Sequence, residues 1–315
     1  MLMNKNKAMC PVCSKIEKID EVSFNTLFKN KIFYCNNCFS TFDFPPPTEI
    51  DLGNYYNKQS SDRHSIGRKF KESHEYKRWL RAYDQYRYIK PFLDKQKIHK
   101  ICDIGCGFGN LISLLNNYAE CYGTEPNIKY REEGITNIKM NIKKDIYKIP
   151  SDTNLIILSH ILEHLSNPKR LLDEINKTFT NLEYIFIEQP LISPNLIQYM
   201  VQNNKLGGEH VTMFSLNSLI KFMDNNGWIP FSEYKPVTFG APNRKALNYN
   251  LDKDFDSVLR SHFKSLSVLS RFRESYGSKL GSIFGTQFIA KNVSLIKLKN
   301  DPIISTVYRG IFVRR

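Results

Sequence analysis

Two cysteine pairs, Cys10-Pro11-Val12-Cys13 and Cys35-Asn36-Asn37-Cys38, are separated by twenty-one residues near the start of the chain. Each C-x-x-C knuckle turns two thiolates toward one point, and two knuckles complete a closed tetrahedral set suited to a structural zinc ion, with 22–33 supplying a hairpin between them. Such a site leaves no coordination position for substrate, so its expected work is to hold a fold. Disulfides are the competing reading, and a cytoplasmic chain favours zinc. Cys102, Cys106 and Cys121 are single and lie in or beside expected strands, where a free thiol packs as a small apolar residue.

A second group begins where Lys100-Ile101-Cys102 runs into Asp103-Ile104-Gly105-Cys106-Gly107-Phe108-Gly109, followed by a helix-forming stretch over 110–117. The order strand, glycine-rich turn, helix is the layout of a nucleoside-cofactor site, because the turn is tight and the backbone must approach its ligand closely. Next, 121–125 reads as a second strand closing on Glu125-Pro126, where such sites set an acid against the ribose hydroxyls. Asp145-Ile146 is spaced to close over an adenine, and 154–159 is a buried strand ending in polar Ser159. A glycine turn of this kind also serves dinucleotide enzymes.

The third group is Ser159-His160-Ile161-Leu162-Glu163-His164-Leu165. Its H-x-x-E-H also matches a zinc-protease signature, but that signature belongs within a helix, whereas His160 closes a strand. With this group in place, the ordered series over roughly 97–190 resembles the class I S-adenosylmethionine-dependent methyltransferases. Those enzymes show D-x-G-x-G-x-G, an acid closing strand two, an Asp beside adenine and an SHxLEHL-like strand four. The resemblance implies an α/β, Rossmann-like methyltransferase sheet. It also implies S-adenosylmethionine held by Asp103, Gly105, Cys106, Gly107, Gly109, Glu125, Pro126, Asp145, Ile146, Ser159 and His160, with Glu163 and His164 bracing the next turn.

Elements must position these groups. Pro45-Pro46-Pro47 can continue neither helix nor central strand, so a boundary falls near residue 47. The expected organisation is a zinc-ribbon module over 1–46 and a linker with a helical cofactor lid over 47–95. A methyltransferase core covers 96–239 plus 286–292, an inserted cap 240–285 and a basic tail 293–315. A helix over 75–93 carries Trp79, Tyr83, Tyr86 and Ile89 at helical spacing, and Tyr56, Tyr83 or Arg87 could line the site. Strands near 100–104, 121–125, 138–142, 154–159 and 183–188 alternate with helix-length segments, which implies a largely parallel sheet. Ser215 caps a helix that Gly227 stops, and 228–234 with 286–291 form the final antiparallel pair.

Beyond strand five lies Gly207-Gly208-Glu209-His210, where two glycines let the loop approach a ligand. A histidine beside a methyl acceptor can take a hydroxyl proton, since its ordinary pKa is near working pH. Related zinc-bearing sugar methyltransferases are similar in carrying a Glu-His pair here, so the resemblance names His210 and Glu209 as catalytic candidates; Glu188, closing strand five, is another. The cysteine module, the proline linker with Asn54-Tyr55-Tyr56 and the core together look like bacterial sugar methyltransferases of polysaccharide pathways. The expected substrate is a sugar-nucleotide or polysaccharide precursor, with oxygen favoured over carbon because the larger C-terminal domain of carbon-methylating relatives is missing. A formal charge of +14 also fits an anionic partner such as RNA, the alternative substrate. That reading lacks an arginine-rich stripe or a base-stacking signature. No run of eighteen apolar residues occurs, so a cytoplasmic protein without a membrane span is expected.

Overall fold

The computed structural model of the 315-residue chain describes residues 7–18, 20–64, 68–202, 206–234, 236–240 and 306–315. The first strands, β1 (Lys7–Met9) and β2 (Ile16–Lys18), pair antiparallel around the first knuckle. They are followed by β3 (Asp20–Asn25), β4 (Asn30–Tyr34) and β5 (Thr41–Phe44), a meander whose first turn is the expected hairpin.

Two helices come next, α1 (Glu49–His64) and α2 (Arg68–Leu93). The sequence reading gave no element to 54–74. The start of α1 is nonetheless written in Thr48 and Asp51: Thr48 N donates to Asp51 Oδ2 at 2.9 Å and Asp51 N to Thr48 Oγ1 at 3.1 Å. This is a reciprocal cap that satisfies amides at the helix start. Tyr83 is buried in the core rather than lining a site, and Arg87 is exposed.

The core alternates β6 (Lys100–Ile104), α3 (Asn110–Leu115), β7 (Glu120–Thr124), α4 (Ile128–Glu133), β8 (Asn141–Lys143), β9 (Leu155–Ser159), α5 (Pro168–Thr178) and β10 (Tyr184–Leu191). Then come α6 (Pro194–Gln202), β11 (Thr212–Met213), α7 (Leu216–Asn225), β12 (Trp228–Pro230), β13 (Val237–Gly240) and β14 (Thr306–Arg314). Among the described residues the main sheet runs β12-β14-β10-β9-β6-β7-β8, with β13 also on β14. Strands β6 to β10 are parallel, and β14 is antiparallel to β10, β12 and β13.

Both faces of this sheet are covered, which is why its strands read as continuous apolar runs. Along β9, Leu155 and Ile157 pack toward α2 and α3, while Ile156 and Leu158 pack toward α5, α7 and the cysteine module. The same two-residue period continues in β10, where Phe186 faces the first layer and Ile185 and Ile187 the second. The helix expected after Ser215 is α7, with Ser218 N donating to Ser215 Oγ at 3.1 Å and Gly227 at φ 89° ending it.

One sequence assignment is corrected. Residues 306–314, read as part of a basic tail, form β14 in the interior of the sheet, paired with β10 from Leu191↔Thr306 to Tyr184↔Val313. Arg309 and Gly310 interrupt the apolar alternation of Val307, Tyr308, Ile311 and Phe312, and so hid a strand whose arginine is buried by pairing. The expected strand at 286–291, all of the expected cap after Gly240 and the part of the tail before 306 lie outside the described residues. Phe312 has no exposed surface. Phe312→Ala should therefore destabilise the chain by about 3–5 kcal/mol, read as a lowered urea midpoint at unchanged slope, whereas a residue in a solvated tail would leave the midpoint in place.

Candidate active site and cysteine cluster

The two knuckles are built alike. Ser14 and Phe39, each following a second cysteine, adopt left-handed φ values of 57° and 60°. Their amides donate to Cys10 O at 2.9 Å and Cys35 O at 2.8 Å, and Cys10 N and Cys35 N donate to Lys15 O and Ser40 O. These turns bring all four sulfurs within 4.8 Å of one another, with Cys10–Cys38 and Cys13–Cys35 at 3.7 Å. The four cysteines are free, and a disulfide would require about 2.05 Å. A tetrahedron of thiolates about 2.3 Å from a zinc ion has edges of about 3.8 Å, so Cys10, Cys13, Cys35 and Cys38 fit such an ion. Cys102 and Cys121 are buried in β6 and β7, as expected of core thiols.

At the carboxyl end of β6 the turn adopts φ values of 72°, 57° and 79° at Gly105, Gly107 and Gly109. A Cβ on Gly105 would stand 2.2 Å from Ile161 Cδ1, so a side chain there would have to displace that methyl group and take up a backbone conformation that disfavours it. Gly105 N and Cys106 N donate to Thr124 O, holding the turn against β7. Glu125 is buried; its Oε2 accepts from Gly107 N at 3.0 Å and its Oε1 from Asn127 N at 2.8 Å. Asp103 is buried as well, and burial, opposed by Arg81 and reinforced by Glu125, pushes it up to about 8. Pro126 is exposed. Asp145 and Ile146 follow β8 on the same edge, with Ile146 buried and Asp145 Oδ1 accepting from Tyr147 N. Because strand order reverses between β6 and β9, this edge is the topological switch point where open α/β sheets receive ligands.

The next strand ends supply a polar cluster. Ser159 Oγ accepts from Arg81 Nη2 at 2.9 Å and Gln85 Nε2 at 2.6 Å. His160, at a left-handed φ of 54°, has Nε2 3.2 Å from Glu188 Oε1 and Nδ1 3.2 Å from Glu163 Oε1. Glu188 also accepts from Arg309 Nε and Nη2 at 2.8 and 2.5 Å, and Arg309 Nη2 donates to Asp84 Oδ2 at 2.6 Å. Burial alone would raise Glu188, but His160, Arg309 and Arg81 hold it well below the usual carboxylate range. A carboxylate so enclosed keeps its charge and accepts a proton only weakly.

Glu209 and His210 reach this cluster from the far side. His164 Nδ1 donates to Glu209 O at 3.0 Å, Val211 N to Glu163 O at 2.9 Å, and Thr212 Oγ1 to Leu165 O at 2.9 Å. The rings of His164 and His210 stand 5.0 Å apart, edge to face, and Tyr56 packs on His164. Tyr55 OH donates to Glu209 Oε2 at 3.1 Å. Burial lowers His210 from its ordinary value, with Glu163 and Glu209 opposing. The cysteine module holds this loop directly: β11 pairs with β5, Asn25 exchanges two hydrogen bonds with Gly208, and Ser215 Oγ donates to Cys38 O.

Sequence reasoning missed Arg81, Gln85 and Arg309. Arg81 and Gln85 are one helical turn apart, a polar pair among aromatics, and Glu188 and Arg309 are opposite charges inside two apolar strands, so each left a signal.

Comparison with known proteins finds no match among curated proteins. The fold is similar to magnesium protoporphyrin IX methyltransferase from Synechocystis with S-adenosylhomocysteine bound, at 13% identity over 62% of this chain and 94% of that one, TM-score 0.48. It is also similar to a SAM-dependent methyltransferase from Archaeoglobus fulgidus, at 18% identity over 76% and 94%, TM-score 0.44. Residues 63–230, more than half of the chain, match a family model described as a methyltransferase domain, from the end of α1 to β12. With the glycine turn at its switch point, the chain therefore belongs to this methyltransferase family and is an enzyme.

Proposed function

We propose that the chain moves the methyl group of S-adenosylmethionine to a sugar, oxygen favoured over carbon, in the making of a surface polysaccharide or related glycan. The observation that carries the cofactor half is the glycine turn beside Glu125 at the topological switch point. When bound, S-adenosylmethionine supplies an already activated methyl on a cationic sulfur. Glu125 has lone pairs left and would hold the ribose hydroxyls, while Asp145, Ile146 and Pro126 would line the adenine end. Ser159, His160 and Asp103 would hold the methionine end, where a carboxylate would answer the ligand's positive charge. The turn residues Gly105, Cys106, Gly107 and Gly109 let the ligand lie on backbone.

For an oxygen acceptor, His210 would take the hydroxyl proton. Burial keeps His210 neutral and ready for that proton at working pH. Glu209, held by Tyr55, orients the acceptor. The sugar half rests on the sequence resemblance and on the attachment of this loop to the cysteine module. Zinc held by Cys10, Cys13, Cys35 and Cys38 would act structurally, keeping β5 in place to receive β11.

Calorimetric titration should give micromolar binding of S-adenosylmethionine and its demethylated product, with NAD silent. Asp103 is protonated below about 8 in the free chain, and a cationic ligand favours its carboxylate. Binding at pH 7 should accordingly release a proton, strengthen as pH rises toward 8 and level off above. The enthalpy should vary with the buffer's ionisation enthalpy, and Asp103→Asn should remove that variation; an invariant enthalpy in the parent protein would take Asp103 off the ligand face.

Radiolabelled methyl should reach nucleoside-diphosphate hexoses and not total RNA, and label in RNA would replace the acceptor half of this reading. His210→Gln should lower kcat by about 10²–10⁴-fold with cofactor affinity unchanged; near-normal turnover would exclude His210 as the base. Elemental analysis should find one zinc per chain. Its removal by chelation should open the 207–211 loop to protease and abolish transfer while cofactor binding persists. A metal-free chain that transfers methyl normally would separate the module from catalysis.

A further inference from the structure

Between the cofactor edge and the acceptor loop lies a carboxylate that the proposed transfer does not use. Glu163, on the short turn Leu162–His164 after β9, has no exposed surface. Its Oε1 stands 3.2 Å from His160 Nδ1 and 3.7 Å from His164 Nε2. One ligand-type atom from each of Glu163, His164 and His210 lies within 4.8 Å of the others. Neither of the Glu163 carboxylate oxygens has a hydrogen-bond partner among the described residues. An isolated carboxylate in such surroundings would give up its charge. Here burial raises Glu163, but His160, His164 and His210 outweigh it and hold the group at about 2.

We infer that Glu163 is a positioning residue for the transfer: a buried carboxylate whose backbone holds the 209–211 loop against the β9 turn and whose side chain stabilises the positive charge His210 gains on accepting the proton. The inference rests on the reading of His210 as proton acceptor. The geometry runs in one direction. His164 Nδ1–H donates to Glu209 O, and its Nε2 stands 3.7 Å from Glu163 Oε1. The backbone of Glu163 accepts from Val211 N, so the same residue sets the distance of the loop from the turn. Among the described residues, the charged groups acting on His210 are Glu163, His160 and His164 from the β9 turn and Glu209 from its own loop, with Tyr55 and Tyr56 of α1 packed on Glu209 and His164. Glu163 raises the basicity of His210 while burial lowers it. Removing the anion therefore sends His210 further down.

Glu163→Gln keeps the shape and removes the charge. Histidine NMR titration of the full-length protein, with His210 assigned from the His210→Gln spectrum, should show His210 titrating at lower pH in E163Q than in the parent. E163D, which retains an anion further from the rings, should move it less. With nucleoside-diphosphate hexoses and S-adenosylmethionine, E163Q should lower kcat by about tenfold or more and shift the acid limb of the rate profile downward, at unchanged cofactor affinity. An unmoved His210 titration in E163Q overturns the inference. So does loss of cofactor affinity, which would make Glu163 a cofactor ligand, or loss of a second bound metal equivalent, which would make it a metal ligand. If E163Q does not fold, E163D decides: a His210 titration identical to the parent's overturns the inference. The titration needs no acceptor, so a parent protein that methylates no sugar counts against the proposed function alone.

Discussion

Glu188 is a carboxylate with no exposed surface in the middle of an eight-residue strand. Such a charge survives only if other elements bring it partners, and removing one partner of a buried pair costs about 3–5 kcal/mol. Here Arg309 comes from β14, His160 from the end of β9 and Arg81 from α2. Asp84 then completes the ring around Arg309. Each of these elements is thus held in a fixed relation to the sheet edge where the glycine turn lies, and apolar packing alone, which tolerates small slides, would not specify that relation so narrowly.

The cysteine module extends this logic to the other wall of the site. Its β5 receives β11, and Asn25 and Cys38 hold Gly208 and Ser215. The loop bearing His210 is therefore fastened on one side by a module far away in sequence and on the other by the turn that carries Glu163. A histidine on two long glycines would otherwise sample many positions; here its freedom is spent before a ligand arrives.

Much of this was legible from residue order. Parallel strands buried on both faces announce themselves as apolar runs, and β6, β7, β9 and β10 fall where the runs stand. The positive φ values of Gly105, Gly107 and Gly109 are what glycine spacing encodes most directly. Two things were not legible. One is β14, because a strand that hides an arginine through a partner over a hundred residues away breaks its own alternation. The other is the meeting of His164, His210 and Glu163, since it depends on the return of the 207–211 loop to the β9 turn, and no local pattern states that distance. Asp145 follows β8 and Pro126 follows β7 on one edge of the sheet.

The position of β14 also has a consequence for synthesis. It is an interior strand, flanked by β10 on one side and by β12 and β13 on the other, yet it follows Gly240 by sixty-five residues. At about 5–20 residues per second, that interval takes on the order of several seconds to translate. Through that time β10 and β12 have no common neighbour, Glu188 has no Arg309, and one face-edge of a very apolar sheet is open. The nascent chain is then most vulnerable to pairing with another copy of itself, so its yield in a cell should be governed by what shields β10 during those seconds as much as by the stability of the finished fold.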